Sequence, residues 1–193
     1  MKITLEWLEE KGACIEAITL FEKKYGKEVD YQEGLDFLAT ENKNEWADWL
    51  IDAVGKIDTV LKVEGDLKIE GNLFFAGRIK ASGNILVKLN IKAGEGIEAG
   101  SGIKAGEGIK AGEGIEAGSG IKAGEGIEAG EGIEAGSGIK AGWGIEAGWG
   151  IEAGWDFGIY AGLRIKISLK KQYGFIRAKS QPKNIMCGEW EKT

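Results

Sequence analysis

Isoleucine recurs every six residues from Ile91 to Ile151, eleven times without a gap, in the frame G-I-[EK]-A-G-[ESW]. A spacing of six fits neither the helix period nor a simple strand alternation. Sustained this long, it specifies a solenoid, in which the chain coils and stacks the same side chain on itself. Three hexads close one triangular coil, so the true period is expected to be eighteen residues. The charged residue after each Ile tests this, because its sign repeats with eighteen and not with six. Glu98, Glu116, Glu134 and Glu152 form one row, Lys104, Lys122 and Lys140 a second, and Lys92, Lys110, Glu128 and Glu146 a third. The residue two before each Ile behaves alike. Ser101, Ser119 and Ser137 lead to Trp155, Glu95, Glu113 and Glu131 lead to Trp149, and Glu107 and Glu125 lead to Trp143.

Strand alternation turns the Ile and the Ala of each hexad inward and the charged residue between them outward. One large and one small apolar group per face suit a narrow core. The two glycines are expected to supply backbone angles that let the chain turn a corner. A less uniform frame continues upstream, with Leu61, Leu67, Leu73, Ile79 and Ile85 at the first position and Val63, Ile69, Phe75, Ala81 and Val87 at the third. The β-helix is therefore assigned to residues 57–157, with coiling from near Leu61. At about 4.8 Å per coil, five to six coils make a prism roughly 25–30 Å long. Ile159 and Ile165 fall two residues out of frame, so Asp156-Phe157 reads as an insertion that ends regular coiling.

Residues 1–56 read as a small helical head. Thr4 is placed to cap a short helix carrying Leu5 and Leu8. A second helix is expected near Cys14–Tyr25 with Gly26 as its stop. Asp30 to Glu33 resembles a capping box ahead of Leu35, Phe37 and Leu38. Asn44 opens a helix with Trp46, Trp49, Leu50, Ala53 and Val54, ended by Gly55. Residues 158–193 read as a C-terminal cap and basic tail. There Leu163, Ile165, Ile167 and Leu169 alternate with polar residues, and Tyr173 to Ile176 is the candidate hairpin partner. The fold class is thus α+β: a helical head, a three-faced β-helix and a β cap.

Charge is distributed unevenly. Residues 91–157 carry five Lys against eleven Glu and one Asp, a net of −7, whereas residues 158–193 carry eight Lys and Arg against two Glu, a net of +6. An acidic body with a basic end is not the footprint of a general nucleic-acid binder. There is no histidine, which removes Ser-His-Asp and Cys-His catalysis and His-ligated metal sites. No catalytic residue, metal ligand or cofactor is assigned. Cys14 and Cys187 lie outside metal-type spacing and read as reduced thiols. No apolar run reaches the roughly 20 residues of a membrane span, and Glu6, Glu9 and Glu10 interrupt any signal-peptide pattern. A cytoplasmic protein is expected.

The six-residue coils resemble those of the hexapeptide-repeat acyltransferases. That family's catalytic His has no counterpart here, and its small inward residue precedes the aliphatic one, whereas Ala follows Ile in this chain. Bactofilin-type cytoskeletal proteins look similar as triangular β-helices with short glycine-containing repeats. The GIEAGWGIEAGWGIEAG run behind a WLEEKGAC-type helical segment also looks like proteins of phages and mobile elements. That last resemblance implies a small protein acting on host machinery, in the host cytoplasm, with anti-defence inhibitors such as anti-CRISPR proteins as one group.

Two features are candidate contact surfaces. The row Glu98, Glu116, Glu134 and Glu152 sets like charges about 4.8 Å apart. It reads either as a nucleic-acid mimic that docks a basic protein or as the trace of a duplicated eighteen-residue unit. Trp143, Trp149 and Trp155 give the last coil one indole per corner, for a partner or for covering by the C-terminal segment. Trp46 and Trp49 are the head's candidate interaction residues. The expected function is non-catalytic inhibition of a basic nucleic-acid-handling protein by a chain that forms a homodimer. A self-assembling scaffold is the alternative.

Overall fold

From Val60 to Ala153 each strand of the solenoid pairs with the strand eighteen residues away. Ile103 is in register with Ile85 and Ile121, Ile109 with Ile91 and Ile127, and Ile115 with Ile97 and Ile133. The computed structural model describes residues 1–154, 158–168, 175–178, 182, 185–187 and 189–192. Over these the chain forms a parallel β-solenoid of about six turns. Its three sheets hold eight, seven and six strands, as a triangular β-helix requires. They are named here for their outward residues. The glutamate face holds Ile97–Ala99, Ile115–Ala117 and Ile133–Ala135, the lysine face Ile103–Ala105, Ile121–Ala123 and Ile139–Ala141, and the mixed face Ile91–Ala93, Ile109–Ala111 and Ile127–Ala129. The inward Ile and Ala rows make one continuous core from Ile79 to Ala178. Burial of each Ile stabilises the fold by roughly 2–3 kcal/mol before entropy is counted.

The glycines work differently from the expectation. The positive-φ glycines among the described residues are Gly12, Gly26, Gly55 and Gly65, and none belongs to the regular hexads. The first glycine of the hexad is instead demanded by close approach. A Cβ on Gly112, Gly118 or Gly124 would stand 2.0–2.2 Å from the carbonyl oxygen of the coil below, well inside van der Waals contact. Ser82 and Lys88 hold the equivalent positions in earlier coils, so this tight stack belongs to the regular repeats. The second glycine has more room: a Cβ on Gly126 would meet the Gly144 oxygen at 3.7 Å. Asn84 and Asn90 fill that position lower in the prism, where their Oδ1 atoms accept from the N–H of Gly102 and Gly108 at 3.0 and 2.9 Å.

Coiling continues past the expected stop. Ile139 pairs with Ile159, twenty residues on, so the stack absorbs the two extra residues and resumes. Asp156 and Phe157 themselves lie outside the described residues. The expected hairpin is also replaced. Arg164–Ile167 pairs in parallel with Gly144–Ala147 on the mixed face, and Phe175–Ala178 pairs in parallel with Gly150–Ala153 on the glutamate face. Ile165 and Ile167 alternate inward as expected of a half-buried strand, whereas Leu163 lies before the strand and is exposed, and each strand stacks on the coil below it and not on its sequence neighbour. Leu169 and Tyr173 lie outside the described residues.

The N-terminal segment contains β1 (Lys2–Thr4), α1 (Leu5–Glu10), α2 (Ile15–Tyr25), β2 (Glu28–Asp30), α3 (Tyr31–Thr40) and α4 (Asn44–Val54). The helix ends follow the sequence signals. Thr4 Oγ1 accepts from Trp7 N–H at 3.1 Å, Asp30 Oδ1 accepts from Gln32 N–H at 3.0 Å, and Gly26 and Gly55 end α2 and α4 at φ of 75° and 76°. The antiparallel pair of β1 and β2 has no sequence signal at three residues per strand. Leu8, Tyr31, Leu35, Ala47 and Leu50 form a core that extends onto Phe74 and Ala76 of the first coil. Gln32 joins the two parts. Its Nε2 donates to the Phe74 carbonyl at 2.8 Å, and its Oε1 accepts from Ala76 N–H at 3.0 Å.

The two glycines should respond differently to a methyl group. Gly118→Ala is expected to lower stability by about 1–3 kcal/mol or more through overpacking, whereas Gly126→Ala stays within about 0.5 kcal/mol. Urea midpoints with unchanged m-values measure both.

Candidate functional site

The outward residues of the glutamate face run Lys62, Lys80, Glu98, Glu116, Glu134, Glu152 and Arg177 in strict backbone register. All four glutamates assigned from sequence are therefore brought together in one file. Its ends are neutralised. Lys80 Nζ and Arg78 Nη1 both donate to Glu98, the latter at 3.0 Å, and Arg177 Nη1 donates to Glu152 at 3.0 Å. These bonds, that from Lys80 foremost, hold the Glu98 carboxyl below the usual range. Glu116 and Glu134 are exposed, and among the described residues neither has an ion-pair partner. Neighbouring carboxylates at about 4.8 Å repel by roughly 1 kcal/mol in water, a cost the fold tolerates. They border a groove of about 800 Å³ floored by Ala99, Ala117 and Ala135 with the adjoining glycines.

A second file of carboxylates runs along one corner of this face. Arg78 reaches Glu95 at 3.8 Å and Glu113 at 2.6 Å, and Lys56 also pairs with Glu113 at 2.6 Å. Glu131 has no ion-pair partner among the described residues, and with Glu116, Glu134, Trp149 and Phe175 it lines a hollow of about 240 Å³. The free carboxylates are thus concentrated in the middle coils.

Two of the three tryptophans remain exposed among the described residues. Trp143 is 58% exposed and Trp149 43% exposed. Leu163 stacks directly above Trp143, its N–H donating to the Trp143 carbonyl at 2.6 Å, and is itself 70% exposed. Trp155 lies outside the described residues. Trp46 and Trp49 are half-buried. Trp49 packs edge-on against Trp7 at 6.3 Å, Trp46 lies under Lys43 at 4.7 Å, and both line a small apolar cavity of about 60 Å³. Their role in the structure is to close the N-terminal core.

Sequence reasoning missed the role of the mixed face. Asn44, Asp48 and Asp52 lie four apart on α4, on one side of the helix. Asp48 pairs with Lys92 at 2.6 Å and with Lys110 at 3.7 Å, and Asp52 reaches Lys110 at 3.9 Å. Lys92 also donates to the Asn44 carbonyl at 2.7 Å and lies over the Phe74 ring at 5.3 Å. With 8% of its side chain exposed, Lys92 has its pKa lowered by burial, which outweighs the attraction of Asp48. Further along, Glu146 pairs with Lys166 at 2.7 Å and with Arg164 at 3.7 Å. The change of sign in this row, from Lys92 and Lys110 to Glu128 and Glu146, was the available signal. It marks where α4 ends its cover and basic strands begin theirs.

Among the described residues no cluster of three or more acidic, His or Cys side chains is placed to hold a metal ion, and no helix is long and apolar enough to cross a membrane. The chain matches no known family, no curated protein and no solved structure. The resemblances to bactofilins and to phage proteins find no support in these comparisons.

Two outcomes follow from these ion pairs. Removing Asp48 strands a buried cation, so Asp48→Ala should cost roughly 3 kcal/mol, while replacing both partners in Asp48→Leu/Lys92→Met should cost much less. Chemical denaturation distinguishes them. The depressed Glu98 carboxyl contributes stability that is complete above the ordinary Glu pKa of about 4.3 and fades as pH falls through its folded value. The stability gap between the wild type and Glu98→Gln should accordingly close as pH is lowered from about 5 towards 3.

Proposed function

We propose that the chain is a non-catalytic binding protein whose glutamate face docks on and blocks a basic, nucleic-acid-handling protein of a host, as an anti-defence inhibitor from a phage or mobile element does. The observation that carries this reading is the pair of exposed carboxylates Glu116 and Glu134, which have no ion-pair partner among the described residues, in a groove left open by the N-terminal helices. On the mixed face and at the ends of the glutamate file, by contrast, outward charges meet a partner: Lys92 with Asp48, Glu146 with Lys166, Glu152 with Arg177. Simple duplication accounts for identical rows but not for this matching. The stacked backbone holds the carboxylates at fixed spacing, so binding orders little beyond side chains. In this reading the helical segment is a head that offers a second surface near Trp46 and Trp49, and the strands beyond Ile159 cap the prism.

Binding to a basic effector complex should weaken steeply as salt is raised. Glu116→Gln/Glu134→Gln should weaken it by about tenfold or more, chiefly through a slower on-rate, with no loss of fold by circular dichroism. Surface plasmon resonance against candidate effectors reads both effects. Binding that is indifferent to salt and to the double variant removes the electrostatic docking.

One observation favours a second reading, a scaffold that stacks end to end. Leu61, Val63, Leu67 and Ile69 of the first coil are only partly buried, and an open coil edge is a template for further strands. Light scattering against concentration separates the two: long filaments support the scaffold, a small discrete species the binder.

A further inference from the structure

The prism carries the complement of its own acidic groove. On the lysine face Lys104, Lys122 and Lys140 point outward and are exposed, one per coil and in register. Lys140 lies over the Tyr160 ring at 5.4 Å. Among the described residues neither Lys104 nor Lys122 has a carboxylate partner. The unpaired cations of one face and the unpaired anions of the next occupy the same middle coils.

The two ladders share one pitch by construction, because both are cut from the same eighteen-residue coil. A ligand with any other repeat drifts out of step. Same-side residues of an extended strand lie about 6.6 Å apart, and i, i+4 residues of a helix about 6 Å apart, against about 4.8 Å here. A second copy of this chain matches rung for rung. The corner between the two faces is also suited to close approach. It carries Ser101, Ser119 and Ser137, where the other two corners carry Glu95, Glu113 and Glu131, or Glu107 and Glu125. The third face is engaged by α4 through Lys92 and Lys110, whereas among the described residues the middle-coil charges of these two have no ion-pair partner.

We propose that copies of the chain associate side by side, the lysine face of one seated on the glutamate face of the next, with Lys104 and Lys122 set against Glu116 and Glu134. The contact is heterologous, so each added copy presents a fresh face of each kind. The complementary faces meet at the serine corner at about 60°, so repetition around that corner closes after about six copies. A paired face about 30 Å long and roughly 15 Å wide buries on the order of 900 Å² in total, below the usual range for stable complexes. The association is therefore weak and salt-labile. It does not depend on the host-partner reading, although both occupants use Glu116 and Glu134 and so exclude one another.

Native mass spectrometry and light scattering of the full chain test this at about 50 mM and about 500 mM salt. Species larger than the monomer and up to the hexamer are expected at low salt and are lost at high salt. Glu116→Lys/Glu134→Lys and Lys104→Glu/Lys122→Glu should each raise the apparent dissociation constant by about tenfold or more. An equimolar mixture of the two variants should regain association, since each keeps the face that the other lacks. A monomer under all conditions overturns the proposal. So does association that survives either reversal, as end-to-end stacking would, or a mixture of folded variants that stays monomeric. Host-partner binding is read separately on the immobilised effector, so failure there leaves this result standing.

Discussion

A single constraint organises this molecule: each coil must repeat the cross-section of the one beneath it, at backbone contact distance. The N–H groups of Gly112 and Gly118 donate to Ala93 and Ala99 of the coil below at 3.1 and 3.0 Å. The missing Cβ atoms are what let the carbonyl oxygens come so near. Once that stack is imposed, identical side chains must lie over one another. For isoleucine this builds the core. For glutamate and lysine it forces like charges into file, and strand geometry gives them no means of spreading apart.

The fold therefore manages charge from outside the row. Arg78, Lys80 and Arg177 bracket the glutamate file at its ends, α4 supplies aspartates to the lysines of the mixed face, and Arg164 and Lys166 serve Glu146. What remains among the described residues is a pair of faces of opposite sign whose middle-coil charges have no ion-pair partner. Those coils are the chemically available part of the prism, and both functional proposals converge on them for that reason.

The solenoid was legible because a narrow core accepts one pattern and repeats it. The charge rows were legible because their period is the coil itself. The caps at Thr4 and Asp30 and the stops at Gly26 and Gly55 announced the helices. Other features combine two periods or lie far apart in sequence, and no local pattern records them. The match of Asp48 and Asp52 on α4 with Lys92 and Lys110 joins a helical spacing to a coil spacing across more than forty residues. Which glutamates are neutralised depends on Arg78 and Arg177, which belong to the less uniform coils. The strand at Arg164–Ile167 was legible as a strand but not in its partner, because a two-residue slip hid the frame from Ile139 to Ile159.

A β-helix has no natural beginning, since its lowest strand leaves bare amides facing outward. Gln32 supplies on a helix the same functional group that a peptide would, and Asp36 Oδ1 steadies it by accepting from its Nε2 at 2.8 Å. One side chain thus stands in for a missing storey. Because that junction reads only the lowest storey, the height of the tower above it is an independent variable. Storeys added or removed higher up would alter how far the charges extend while leaving the foundation as it is.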